Sequence, residues 1–246
     1  MILRFPKAPA TLGVLASLFI GCASRVTASA APAPAPPPDA YVRSTDKGCG
    51  WNAAECERMC ASHDYDACSM LGSIYQDGAP AAGGIPSAGG ASVAPNPSRA
   101  FELYERACQG GSNSGCVNFG NAYERGEIAP PSTERARQAF LQTCERGYSW
   151  GCMRLGLLEL AAHRRPEGIV ALRRSCKRLE AEPCWVFASA LLDVTSGTER
   201  EEALAVLAAT CRKGAHSASD EYSRARAERF STLACERIIE LRGEHR

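Results

Sequence analysis

From Cys49 onward, apolar residues recur at intervals of three and four. Phe101, Leu103, Tyr104 and Ala107 lead up to Cys108, and Cys116, Phe119, Gly120 and Tyr123 follow a turn rich in Gly and Ser. This is the period of an amphipathic helix, whose neighbours on one face stand three and four apart. Gly110-Gly111 stops the first helix and Gly126 the second. The pattern then repeats: Ala136, Phe140 and Leu141 lead to Cys144, Gly147 turns the chain, and Cys152, Leu155, Gly156 and Leu160 follow. Pro166 falls where a further helix begins, a first-turn position that proline tolerates. The pattern predicts an all-α chain of paired antiparallel helices.

The cysteines give that pattern its period. Cys60/Cys68, Cys108/Cys116, Cys144/Cys152 and Cys176/Cys184 share the spacing C-x7-C. Zinc ribbons place their ligands two to four residues apart. Seven intervening residues suit a disulfide that staples two antiparallel helices across their turn. First cysteines at 60, 108, 144, 176 and 211 are separated by steps of 48, 36, 32 and 35. A period near 35 built from helical pairs is that of tetratricopeptide-like solenoids. The long first step is accounted for by residues 78–97, a Gly- and Pro-containing insertion between units. Cys211 lacks a partner at the expected position, Ser219, and pairs best with Cys235 on the terminal helix. Cys49 then pairs with Cys56 by default, although Cys56 and Cys60 are also neighbours on one helical face.

Two segments carry a specific resemblance. One runs from Leu103-Tyr104-Glu105-Arg106-Ala107-Cys108 through Gly111 to Cys116-Val117-Asn118-Phe119-Gly120-Asn121-Ala122-Tyr123-Glu124-Arg125-Gly126. The other is Cys68-Ser69-Met70-Leu71-Gly72-Ser73-Ile74-Tyr75-Gln76-Asp77-Gly78. Both resemble the Sel-1-like repeat, in its secreted cysteine-rich branch. The third unit keeps Leu155-Gly156 without the Tyr, and the fourth has Ala188 in place of the Gly. The resemblance covers residues 50–230 and implies a right-handed α-solenoid of about five stapled hairpins.

Composition narrows compartment and chemistry. The 246 residues carry a net charge of +1, which singles out neither nucleic acid nor a strongly cationic partner. Thirteen cysteines are far too many for a reducing cytosol unless they bind metal, and the four histidines do not cluster. No metal or cofactor is expected. Arg4 and Lys7 precede an apolar run, Thr11 to Ile20, too short to span a bilayer. The following Phe19-Ile20-Gly21-Cys22 resembles a bacterial lipoprotein signal, with Cys22 as the lipidated residue. Ordinary cleavage after Ala28-Ser29-Ala30 is the rival. Either way twelve cysteines remain for pairing. The predicted organisation is a signal peptide over 1–21, a Pro/Ala-rich tether over 22–48 and a solenoid over 49–246. The expected location is extracytoplasmic, in the periplasm or envelope, with membrane contact only through the anchor.

Catalytic signatures are weak. Gly147-Tyr148-Ser149-Trp150-Gly151 matches G-x-S-x-G, but a nucleophile elbow needs a strand before it, and here a helix precedes. Gly111-Ser112-Asn113-Ser114-Gly115 occupies the same slot one unit earlier, which marks a repeat turn without a base or oxyanion site. Some cysteine-rich members of the resembled family are described as β-lactamase-like or penicillin-binding hydrolases. The serine machinery needs S-x-x-K with K-T-G. Its first element occurs only as Ser44-Thr45-Asp46-Lys47 in the tether, and K-T-G is missing. No catalytic residue is assigned. The resemblance instead implies recognition along a concave face lined by the Leu-Gly-x-x-Tyr helices. It would be lined by Asn121 and Glu124, then Trp150, Met153 and Leu157, then Trp185 and Ser189. Such a groove suits a protein or peptide partner of the envelope.

Overall fold

A computed structural model describes residues 48–50, 52–78, 93–178, 180–192, 197–213 and 221–243. The chain divides into two compact units, Met1–Ala31 and Pro32–Arg246, and every described residue belongs to the second. The signal and lipidation at Cys22, the S-x-x-K motif, most of the tether and residues 79–92 of the insertion lie outside the described residues.

Among the described residues, ten α-helices follow in order: α1 (Ala53–Ala61), α2 (Tyr65–Asp77), α3 (Pro97–Gln109), α4 (Asn113–Arg125), α5 (Thr133–Glu145), α6 (Ser149–Ala161), α7 (Arg165–Ser175), α8 (Ala181–Leu192), α9 (Gly197–Lys213) and α10 (Glu221–Gly243). A single 3-10 turn, Cys176–Arg178, follows α7. Short polar side chains start the early helices. Asn52, Asp64, Asn96, Ser112 and Ser132 each accept a hydrogen bond from a first-turn amide of α1 to α5. Pro166 lies in the first turn of α7.

The even helices pack on one another, α2 on α4, α4 on α6, α6 on α8 and α8 on α10, and form an inner layer. The odd helices clasp it from outside. The reason is legible at one slot of each inner helix. Gly72 lets the Tyr104 ring of α3 come so close that a Cβ would stand 2.6 Å from it. Gly120 does the same for Phe140 of α5 at 2.5 Å, and Gly156 for Leu172 of α7 at 2.6 Å. Large side chains of the outer layer thus drop onto bare inner-helix backbone. Tyr104, Phe140 and Leu172 are completely buried as a result.

Each odd helix is joined to the next even one by the same turn. In three units a residue three after the first cysteine takes the left-handed conformation: His63 (φ 68°), Gly111 (φ 93°) and Gly147 (φ 79°). Its amide returns to the cysteine carbonyl, and the next amide reaches the carbonyl preceding that cysteine. This is a helix C-cap closed by paired backbone bonds. It brings the two cysteines together, which is the physical origin of C-x7-C. The disulfides are Cys60–Cys68, Cys108–Cys116, Cys144–Cys152 and Cys176–Cys184, with Cα atoms 4.2 to 4.6 Å apart. Cys49 pairs with Cys56, and Cys211 with Cys235 across α9 and α10. Disulfides form and persist in oxidising compartments.

Candidate functional site

The exposed flank of the inner layer follows from which neighbours each position touches. On α2, Cys68 bonds to α1, Gly72 faces α3 and Ser69 accepts from Asn118 of α4. At 100° per residue, Asp77 remains on the side turned away from these neighbours, while Asp66 meets Ser112 and Ser114 at the start of α4 and Met70 is buried. Two before and five and nine after the second cysteine, α4 carries Ser114, Asn121 and Arg125, and α6 carries Trp150, Leu157 and Ala161. This flank, repeated along the layer, is the inner face.

The inner layer carries uncompensated polarity. Asn118 is completely buried and Asn121 is 2% exposed. Asn118 Nδ2 donates to Ser69 Oγ at 3.3 Å, while its Oδ1 has no partner. Asn121 Oδ1 has none either, nor has Nε of Arg154. Arg154 pairs with Glu124 through another nitrogen, and its guanidinium lies 5.6 Å from the Phe140 ring centre. Among the described residues, these are the three buried side-chain polar atoms without a partner. All three sit on adjacent inner helices, α4 and α6. A polar atom left unpaired out of water costs about 1–3 kcal/mol, and folded proteins satisfy nearly all of theirs. Asn118 meets Ser69 of α2 and Arg154 meets Glu124 of α4, so both lie at seams between inner helices.

The residues expected to line the groove divide into three groups. Asn121, Trp150, Leu157 and Ser189 stand on the inner flank, with Trp150, Leu157 and Ser189 partly exposed. Glu124 and Trp185 lie at the seams to the following inner helix, Glu124 held by Arg154. Met153 is a correction: at 1% exposure it packs in the core with Leu172, Phe187 and Leu191, and a partner has no access to it. On α6 it lies about 40° from Leu157, toward the side where an inner helix faces the next. Trp150 is roofed by Arg226 of α10, whose guanidinium lies 4.6 Å from the ring centre and pairs with Glu182.

The turn holding Ser149 is not as bare as its sequence suggests. The Ser149 hydroxyl donates to Glu180 Oε1 at 3.1 Å, so a carboxylate stands where no base was expected. Burial pushes the Glu180 carboxyl up, against the hydrogen bond from Ser149 and the charges of Arg178 and Lys213. The neighbouring Tyr148 phenol is pushed up by burial and by Glu180 and Asp66. Ser149 is, however, only 5% exposed and is the first residue of α6. Tyr148 gives α6 no side-chain cap, and the Glu180 carboxylate sits at that positive helix end instead. Asp66 likewise takes hydroxyl bonds from Ser112 at 2.6 Å and Ser114 at 3.3 Å. These are contacts between repeats.

Sequence reasoning missed Asn118, Arg154, Glu180 and Arg226. Asn118 and Arg154 were within reach of it, since both stand two residues after the second cysteine of their unit, as Met70 does. Among the described residues, no group of three or more His, Cys, Asp and Glu is placed to hold a metal ion. His63 and His163 instead occupy left-handed turn positions.

Neither a protein-family profile nor a curated protein matches this chain. Solved structures do. A protective antigen of uropathogenic Escherichia coli displaying an SLR fold superposes with a TM-score of 0.51 at 18% identity, over 74% of this chain and 40% of the antigen. A Sel1 repeat protein from Oxalobacter formigenes gives 0.53 at 13% identity, over 77% of this chain and 58% of that protein. The chain thus spans less than two thirds of either structure's length. The likeness establishes the fold, helical Sel1-like repeats.

Proposed function

We propose that this chain, a disulfide-stapled protein of the Sel1-like repeat fold, is an extracytoplasmic interaction scaffold that holds an extended peptide or protein segment on its inner face. The observation that carries this reading is the partial exposure of Trp150, Leu157, Trp185 and Ser189 on the inner helices α6 and α8. Trp150, Leu157 and Trp185 supply apolar surface, the composition that protein interfaces favour. The six disulfides support an oxidising location. The sequence around Cys22 supports a lipid anchor that would keep the scaffold at the envelope membrane.

The test is affinity capture from an envelope extract with residues 46–246 as bait. A specific partner is expected, and Trp185→Ala should weaken its binding by more than about 1 kcal/mol, roughly fivefold. Thermal unfolding of the variant is measured alongside, because truncating a half-buried Trp also affects the core. Capture unaffected by Trp185→Ala and by Asn121→Leu would place the binding surface elsewhere.

A further inference from the structure

The second unit departs from its repeat at the edge opposite the staples. The connection from α4 to α5 has seven residues, 126–132, where that from α6 to α7 has three, 162–164. Gly126 takes the left-handed conformation (φ 68°) and turns the chain back, so that Pro131 lies against it and the Ser132 amide donates to the Tyr123 carbonyl. The side chains under this loop differ as well. Seven residues before its first cysteine and seven after its second, the third unit carries Arg137 and Glu159, which close on each other as an ion pair. In the second unit the same positions hold Phe101 and Tyr123, with ring centres 5.4 Å apart edge to face, and Phe119 packs against both. At 100° per residue Tyr123 lies about 20° from Cys116 on α4, so it faces α3 and not the inner flank.

Between these rings, residues 128–132 and Arg135 lies a cavity of about 540 Å³. Ligand pockets have this size, and are apolar with a few convergent polar groups. Phe101 and Ile128 are partly exposed and Pro130, Pro131 and Arg135 exposed, so the cavity opens to solvent. Its charged group is Arg135, which donates to the Tyr123 hydroxyl at 2.6 Å with its guanidinium carbon 5.2 Å from the ring centre. Among the described residues no carboxylate pairs with Arg135, and none lines the cavity. The Tyr123 oxygen accepts the arginine bond, so its own proton can be donated to an incoming group. A guanidinium fork and a phenol O–H at the rim of an aromatic box complement a carboxylate held beside a ring. A chain end provides that pair, since the last residue carries carboxylate and side chain on one Cα.

We propose that this cavity binds the carboxyl terminus of a partner peptide that ends in an aromatic residue. The last side chain lies against Phe101 and Tyr123, and the terminal carboxylate accepts from Arg135 and the Tyr123 hydroxyl. The rest of the peptide leaves through the open side, past Pro130 and Pro131. This site is separate from the inner face and goes beyond the scaffold reading.

The experiment titrates the exported chain into a fluorophore-labelled tetrapeptide, Ala-Ala-Ala-Phe, as free acid and as amide, read by anisotropy. The acid should bind at least about tenfold more tightly than the amide, because the lost bonds are to a charged group. Arg135→Gln should abolish that preference, and circular dichroism checks that this exposed substitution keeps the fold. Backbone amide signals of Ala129, Ser132 and Arg135 should shift on binding in NMR spectra. Trp185→Ala should leave the affinity unchanged, which separates this site from the inner face. Equal affinity for acid and amide, a preference that survives Arg135→Gln, signal shifts confined to other residues, or no binding at all would each overturn the proposal. N-acetylphenylalanine binding as tightly as the tetrapeptide would overturn it too, by assigning the cavity to a free aromatic acid. A peptide bound here, with no partner captured through the inner face, would sink the scaffold reading alone.

Discussion

At the scale of single residues, the decisive positions are those where a unit departs from its repeat. Tyr75 and Tyr123 close the Leu-Gly-x-x-Tyr slot in the first two units, and Tyr123 OH accepts from Arg135 at 2.6 Å. The third unit puts Glu159 there, 2% exposed and paired with Arg137 and Arg164. Burial alone would raise this carboxyl. The hydrogen bonds and charges of Arg164 and Arg137 outweigh it and hold the group below its ordinary value. A depressed carboxylate contributes stability that is present above its unfolded pKa and lost as pH falls through the folded one. Both arginines are over a third exposed, so water screens the pair. Glu159→Gln should cost about 1–2 kcal/mol at pH 7, and the deficit should shrink below about pH 4. Urea unfolding at pH 7 and pH 3.5 checks it; an equal deficit at both would show that the pairing is not what stabilises. Ser149→Ala removes one hydrogen bond to Glu180 and should cost at most about 1 kcal/mol. Any turnover of a chromogenic cephalosporin by the purified domain should survive it, and abolition of an enzyme-like rate would instead revive the hydrolase reading.

At the scale of elements, the inner glycines set how closely the layers approach. Gly120 has Phe140 of α5 against its backbone, while the fourth unit uses Ala188 in the same slot, itself completely buried. Gly120→Ala gains helix propensity of about 1 kcal/mol. It also forces a methyl against a completely buried ring, and overpacking costs about 1–3 kcal/mol. A net destabilisation is therefore expected in thermal unfolding, since the ring has no space to retreat. A gain in melting temperature would mean that the layers are loosely set. The outer helices add a second coupling between units. Arg106 of α3 donates to the Cys60 carbonyl and Arg174 of α7 to that of Cys144, each at 2.9 Å. These carbonyls lie at helix C-termini, where cations are favoured.

At the scale of the molecule, stability is divided among units that each bury too little alone. Every C-x7-C bridge closes a loop of about nine residues, which chain entropy values at about 2.5 kcal/mol. Replacing Cys108 and Cys116 together by Ser should lower unfolding free energy by about that amount, with α3 and α4 still formed by circular dichroism. A loss near zero would mean that the turn bonds alone close the hairpin. The far end is clamped differently: α10 is tied by Cys211–Cys235 and by Arg226, which reaches Glu182 of α8 and the face of Trp150 on α6. Arg226→Ala should therefore loosen α10 and expose Trp150, read as a red shift of tryptophan emission and faster hydrogen exchange in α10. Unchanged emission and exchange would show that the disulfide suffices.

The sequence by itself determined the helical pairs, their period and the staples. All three depend on local periodicity, turn chemistry and cysteine spacing, which act within about ten residues. The pairing of Cys211 with Cys235 was readable because one partner was missing from an otherwise regular series. What only the tertiary structure decided is which flank of each inner helix remains free once four neighbours are packed around it. Met153 and Leu157 are both apolar and four apart on α6, yet one is core and the other is on the flank. Their difference lies in the position of the next inner helix, a non-local fact that no local pattern encodes. The same holds for Ser149 meeting Glu180, and for Asn118, Asn121 and Arg154, whose missing partners become visible only when burial removes the water that would otherwise have satisfied them.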